Sequence, residues 1–138
     1  MDNVIKTAGV LVFLDNKVLL VRHGKKAEHL NDVYGLPAGR IEEGETTVVA
    51  AGRELFEETG LKVTVENLIK VPEFYTASIE RKGGIKNFSQ ENFLCKKWEG
   101  ELKANDETIP EWIVIDELKN LELLPNVKKM IFDGLKLK

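Results

Sequence analysis

Residues 39–61 read GRIEEGETTVVAAGRELFEETGL, and the fold turns on how this stretch is parsed. It divides into a glycine-bounded loop, a helix and a glycine stop. Thr46 suits the N-cap, because its hydroxyl satisfies an otherwise unpaired amide of the first turn. Gly60 suits the left-handed residue that closes a helix. On a helical wheel, Glu54, Glu57 and Glu58 share one narrow arc, being three and four residues apart. Thr47 and Ala50 lie on that arc one turn earlier and, being small, leave the space above the carboxylates open. Val48, Val49, Leu55 and Phe56 fall on the opposite side, around Gly52, and form the expected buried stripe. A mid-helix glycine costs roughly 1 kcal/mol against alanine, so Gly52 predicts that another backbone packs closely on it.

Three carboxylates on one arc repel one another, which raises their pKa values and weakens the helix. A hard divalent cation resolves the conflict: Mg2+ takes oxygen ligands and commonly binds a few carboxylates together with substrate phosphates. Arg53, four residues before Glu57, can orient a carboxylate. Taken alone, such an arc is more often a solvated acidic face. The surrounding residues reverse that reading. The stretch resembles the Nudix box: Gly, five residues, Glu, seven residues, then Arg-Glu-apolar-any-Glu-Glu-any-Gly-apolar. Gly39, Glu45, Arg53, Glu54, Leu55, Glu57, Glu58, Gly60 and Leu61 match all nine fixed positions over 23 residues.

Composition sets the wider frame. A chain of 138 residues is long enough for one domain with a real core, and we read 1–138 as a single domain. A net charge of −3 argues against coating a nucleic-acid polymer. The single cysteine, Cys95, rules out an intramolecular disulfide and suits a reducing compartment. The N-terminal apolar run is short and lacks a basic lead, so neither a signal peptide nor a membrane span is expected, and the chain reads as cytoplasmic.

Along the chain, Val4 to Leu14 and Lys17 to Arg22 are β-rich runs joined by the turn signal Asp15-Asn16. Arg22 and His23 end the second run; either could touch a phosphate or a base, or simply be solvated. A polar loop runs from His23 to Val33, with His29 carrying no signal of its own. Lys62 to Ser78 reads as extended, interrupted at Pro72; Arg81 to Gly84 is a turn, and Asn87 to Trp98 is the returning strand. Ala104 to Pro110 reads as a polar loop, Trp112 to Ile115 as a short strand and Asp116 to Leu118 as a helical turn. Pro125 suits the first turn of a last helix running to about Leu137.

The Nudix resemblance implies an α/β/α sandwich with a central mixed β-sheet, and metal-assisted hydrolysis of a phosphoanhydride. It implies Glu57 and Glu58 as metal ligands, Glu54 as ligand or general base, and the Ala38 carbonyl, just before Gly39, as a further ligand. Glu45 braces the loop or supports the metal site. Glu107 precedes Trp112 and the run Asp116-Glu117-Leu118, which resembles the family's second acidic position, a base or ligand in some relatives; Glu111 is a nearby competitor. Arg53 joins Glu54 and Glu107 as the catalytic set, and Arg22, Tyr34 and Arg40 are the substrate-binding candidates. The implied cofactor is Mg2+, with Mn2+ as an alternative. The implied partner is a small nucleotide, and dimers are common in the family, so a homodimer is open to the chain. Relatives that cleave ADP-ribose carry a proline about fifteen residues past the box, and Pro72 comes too early. Tyr75 is near, but not at, the tyrosine of dinucleoside-polyphosphate hydrolases. The reading therefore leans to a nucleoside triphosphate or related nucleotide. The alternatives are ADP-ribose, a dinucleoside polyphosphate, or a non-catalytic nucleotide- or protein-binding module. An EF-hand loop is excluded by the lack of alternating oxygen ligands.

Overall fold

The computed structural model describes residues 3–23, 32–81 and 83–138. The chain opens with β1 (Val4–Leu11) and β2 (Phe13–Leu14), turns at Asp15-Asn16, and returns as β3 (Lys17–His23). Phe13 pairs Val18 and Leu14 pairs Lys17, with Asp15 in the left-handed region at φ 54°, so the turn signal forms the hairpin expected of it. There follow β4 (Tyr34–Gly35), β5 (Ala38–Arg40), α1 (Thr47–Thr59), β6 (Leu68–Arg81), β7 (Gly84–Cys95), β8 (Thr108–Val114) and α2 (Val127–Leu135). Short 3₁₀ turns occupy Val65–Asn67 and Ile115–Asn120.

The strands form two four-stranded sheets. One has the order β5-β1-β7-β6; the other has β2 and β4 paired to β3, with β8 also paired to β3. β1 runs parallel to β7, and the other pairings between these described strands are antiparallel, so the strand layer is mixed, as expected. Alternation along the strands builds two cores. Ala8, Val10, Val12, Leu19 and Phe93 pack with Ala50, Ala51 and Leu55 of α1. Leu11, Phe13, Val18, Leu20 and Leu94 pack with Val127, Met130 and Ile131 of α2. One helix on each face makes the α/β/α sandwich. Among the described residues no helix is long and apolar enough to cross a membrane.

Several expectations change in detail. The interruption at Pro72 is a bulge between Lys70 and Phe74 within one long strand, β6. β8 begins at Thr108 and contains Pro110, which the sequence assigns to a loop; among the described residues β8 pairs only with β3, and such a strand tolerates a missing amide. Pro125 lies before the α2 cap, Asn126, and the helix stops at Leu135. Most of the loop expected over 23–33, including His29, lies outside the described residues, as does the side chain of His23.

The largest correction concerns α1. Its buried residues are Ala50, Ala51, Leu55 and Thr59. Val49 and Phe56, expected inside, are 47% and 49% exposed. The helix lands with its Glu54–Glu58 side turned toward β5, and Ala50, expected in the open space above the carboxylates, is packed against the strands. Gly52 has no backbone against it: a Cβ there would meet Val63 Cγ1 at 3.6 Å, an ordinary contact. The close backbone packing expected at this position does not occur among the described residues. Gly52→Ala is instead expected to raise stability by up to about 1 kcal/mol through helix propensity and a less flexible unfolded chain. A lowered thermal midpoint would contradict this.

Candidate active site

Both ends of α1 are set by the residues expected to set them. The Thr46 side chain accepts from the Val49 amide at 3.4 Å. Gly60 sits at φ 88°, with its own amide bonded to the Phe56 carbonyl at 2.9 Å. A side chain at Gly60 would also meet the Glu101 carbonyl at 2.8 Å, so glycine is required on two counts.

Arg53 is the brace of the site. Its Nε and Nη2 form a fork on Glu45, at 2.6 and 2.8 Å, and Nη2 also donates to the Arg40 carbonyl at 2.9 Å. Its Nη1 donates to Glu54 at 2.8 Å and to Glu57 at 3.1 Å. The Glu45 carboxylate further accepts the Glu42 amide at 3.0 Å. Arg53, with that amide, holds Glu45 at a pKa of about 2, and the paired carboxylates hold Arg53 above its ordinary value. Glu45 therefore ties the loop to the helix, and Arg53 passes that order on to Glu54 and Glu57.

Gly39 makes room for Glu54: a Cβ at residue 39 would lie 2.1 Å from the Glu54 carboxyl carbon. Burial raises the pKa of Glu54, against the pull of Arg53. Glu58 lies deeper. It accepts the Ala38 amide at 2.6 Å, yet burial first, and then the charges of Glu54, Glu57 and Glu107, push it up to about 8. Glu57 stands more open at the surface.

Glu58 stands where two hollows meet. One, of about 400 Å³, is lined by Glu54, Glu57, Glu58 and the loop residues Asn105 to Thr108, including Glu107. That loop is fastened to the helix end: Asn105 donates to the Glu57 carbonyl at 3.0 Å and Thr108 to the Glu58 carbonyl at 3.1 Å. Asn105 also accepts the Glu107 amide at 2.7 Å. The other hollow is a cleft of about 510 Å³, which Glu58 and Ala38 to Arg40 close at one end. Its floor is the β1-β7-β6 surface, with Thr7, Gln90, Phe88 and Tyr75; its roof is the start of α2, from Leu124 to Met130.

Of the residues singled out in the sequence, Glu54, Glu57, Glu58, Glu107, Ala38, Gly39 and Arg40 are brought together. Arg22 and Tyr34 are not on the cleft wall. Both are held by Glu111, which accepts from Arg22 at 2.8 Å and from the Tyr34 hydroxyl at 3.1 Å. Of Glu111 and Glu107, Glu107 is the one that lines the carboxylate hollow. Thr7, Gln90 and Asn126 line the cleft and carried no signal in the sequence, because register and chain crossing place them there. Tyr75 lends the cleft its ring, while its hydroxyl donates to Asp133 of α2 at 2.5 Å.

The donors suit a hard cation: all are oxygens, and among the described residues the half-buried Glu58, crowded by other carboxylates, has no ion pair to compensate it. Among the described residues no three acidic, histidine or cysteine side chains already converge as a cage. A cation held partly by substrate phosphates needs no such cage.

The NUDIX domain family model matches residues 5–133. An 8-oxo-dGTP diphosphatase from Buchnera aphidicola is 25% identical over 129 residues, 88% of this chain and 92% of that protein. An ADP-ribose pyrophosphatase from Methanocaldococcus jannaschii is 32% identical over 121 residues, 86% of this chain but 62% of that protein. The crystal structure of a MutT NUDIX hydrolase from Burkholderia pseudomallei shares the fold, with a TM-score of 0.76 at 18% identity over 96% of this chain and 98% of that one.

Proposed function

This chain belongs to the NUDIX family, and on that premise we propose that it is a Mg2+-dependent hydrolase that cleaves a phosphoanhydride bond in a nucleoside triphosphate or related nucleotide. The observation that carries the proposal is the placement of Glu58, a half-buried carboxylate between a nucleotide-sized cleft and a hollow lined by three more glutamates. Cofactor and ligand sites are typically clefts of this size, apolar with a few placed polar groups.

Glu57 and Glu58 would hold the cation, with the Ala38 carbonyl as a further ligand. When bound, it withdraws charge from phosphate oxygens and lowers the pKa of a coordinated water. The protein's own part is positional. Arg53 fixes Glu54 and Glu57; Gly39 lets Glu54 approach the cleft end; Ala38 holds Glu58. Glu54 takes the proton of the attacking water, since its raised pKa suits a base. Glu107, on a loop tied to the helix end, is the competing base. Arg40 stands at the same end, where a phosphate chain would lie.

The test is a panel of nucleoside and deoxynucleoside triphosphates, ADP-ribose and dinucleoside polyphosphates, each with Mg2+ or Mn2+, with the products (phosphate, pyrophosphate, ribose 5-phosphate and nucleotides) separated and quantified. Metal-dependent release from triphosphates, abolished by EDTA, is expected. Cleavage of ADP-ribose alone would replace the substrate class, and cleavage of none of the compounds would leave a binding module instead.

A further inference from the structure

Three side chains at and behind the cleft floor form a hydrogen-bonded row that none of the proposed chemistry uses. Thr7 and Gln90 face each other across β1 and β7, as do Gly9 and Asn92. The Thr7 hydroxyl donates to Gln90 Oε1 at 3.0 Å, and Gln90 Nε2 donates to Asn92 Oδ1 at 2.8 Å. Gly9 provides the space: a Cβ there would lie 2.4 Å from Asn92 Oδ1 and 2.6 Å from Gln90 Nε2. Asn92 is fully buried, and its Nδ2 has no partner among the described residues. Thr7 and Gln90 line the cleft; Asn92 lies behind them.

Resting on the nucleotide reading above, we propose that the Thr7–Gln90–Asn92 row reads the polar edge of the substrate's heterocycle and favours a base carrying a carbonyl there over one carrying an amino group. Along β7, Lys86, Phe88, Gln90 and Asn92 point to one face, grading from a charged rim through an aromatic ring to amides and then to core. A base entering between β7 and α2 lays its ring on Phe88 and Tyr75 and brings its edge to Thr7 and Gln90, while its phosphates extend toward Glu58.

The preference follows from the row's direction. As it stands, the Thr7 hydrogen is used inward and the Asn92 amide is left without an acceptor, a costly state for a buried donor. An amide exchanges its oxygen and nitrogen by turning over. If both amides turn, Gln90 donates to Thr7 and Asn92 donates to Gln90, so the stranded amide gains its acceptor. The Thr7 hydrogen is then free to point into the cleft. A carbonyl on the ligand accepts it and stabilises the turned row. An amino group can only donate to Thr7, which leaves the Thr7 hydrogen without an acceptor on the ligand if the row turns and the Asn92 amide without one if it does not, so either direction is costlier. The turned row gives up only the weak contact of Gln90 with the Met130 sulfur at 3.6 Å, and leaves an Asn92 oxygen unpaired, which buried chains tolerate better than an unpaired N–H.

Inosine and adenosine triphosphates differ at this edge as a carbonyl and an amino group. The wild-type kcat/KM is expected to favour ITP over ATP by on the order of tenfold. Thr7→Val, which keeps size and removes the hydroxyl, and Gln90→Leu are each expected to bring the two substrates to near equality. Gln90→Glu, which only accepts, fixes the Thr7 hydrogen inward and is expected to shift the preference toward ATP. Thermal melts of each variant accompany the rates. A wild-type preference within twofold overturns the inference, as does an ITP preference that survives in folded Thr7→Val. If neither triphosphate is hydrolysed, the triphosphate reading fails on its own; calorimetric binding of ITP and ATP then measures the same ratio and judges this inference separately.

Discussion

Glu58→Gln is expected to stabilise the metal-free protein at pH 8 and to remove most of its metal-dependent turnover. The Glu58 carboxyl is raised from an ordinary 4.5 to about 8 by burial and by neighbouring carboxylates. A group whose folded pKa is raised contributes stability below its unfolded pKa and loses it as pH rises to the folded value. In EDTA, the wild type should therefore fall behind Glu58→Gln as pH climbs from about 4.5, with the gap levelling off above about 8. The gap should reach on the order of 2–4 kcal/mol. The glutamine can still accept the Ala38 amide, so the comparison isolates the charge. Saturating Mg2+ should close the gap by favouring the charged wild type. The same loss of charge should lower kcat by on the order of a hundredfold or more. Thermal melts across pH, with and without Mg2+, check the first half. Near-wild-type turnover in both Glu57→Gln and Glu58→Gln at saturating substrate would remove these residues as ligands.

With metal saturating, Glu54→Gln should lower kcat by about 10²–10⁴-fold while metal affinity changes little, as removal of a general base does. Glu54 is fixed before substrate arrives, by the Arg53 hydrogen bond at 2.8 Å and by the gap at Gly39. Glu107 is exposed on its loop, and among the described residues only its backbone amide is engaged, by Asn105. Glu107→Gln should therefore cost less. Metal titration paired with rates on the two variants separates the roles. Wild-type rates in metal-saturated Glu54→Gln would pass the assignment to Glu107, and a weakened metal midpoint with little rate loss at saturation would make Glu54 a ligand.

The features legible in the sequence are those whose physics is local. Thr46 and Gly60 cap α1 through bonds within one turn. Asp15-Asn16 makes a hairpin because its neighbours are β-rich on both sides, and Pro72 marks the bulge because it carries no amide for the ladder. The spacing of Glu54, Glu57 and Glu58 is a property of the helix and needs no partner to be read. The tertiary structure decided what depends on the surface an element lands on. Hydrophobicity chose the Val49–Phe56 side of α1 for burial, but the helix approaches the strands on Ala50 and Ala51, whose small side chains allow close contact. That approach carries Glu54 and Glu58 inward, where Arg53 and the Ala38 amide compensate for burial that apolar pattern alone would forbid. Arg22 and Tyr34 were read as free to meet a ligand, and only the pairing of β3 with β8 reveals that Glu111 holds them. The row across the cleft floor joins Thr7 to Gln90 over 83 positions of chain. No local signal marks such a pair, because the hydrogen bond between them exists only once β1 and β7 lie side by side.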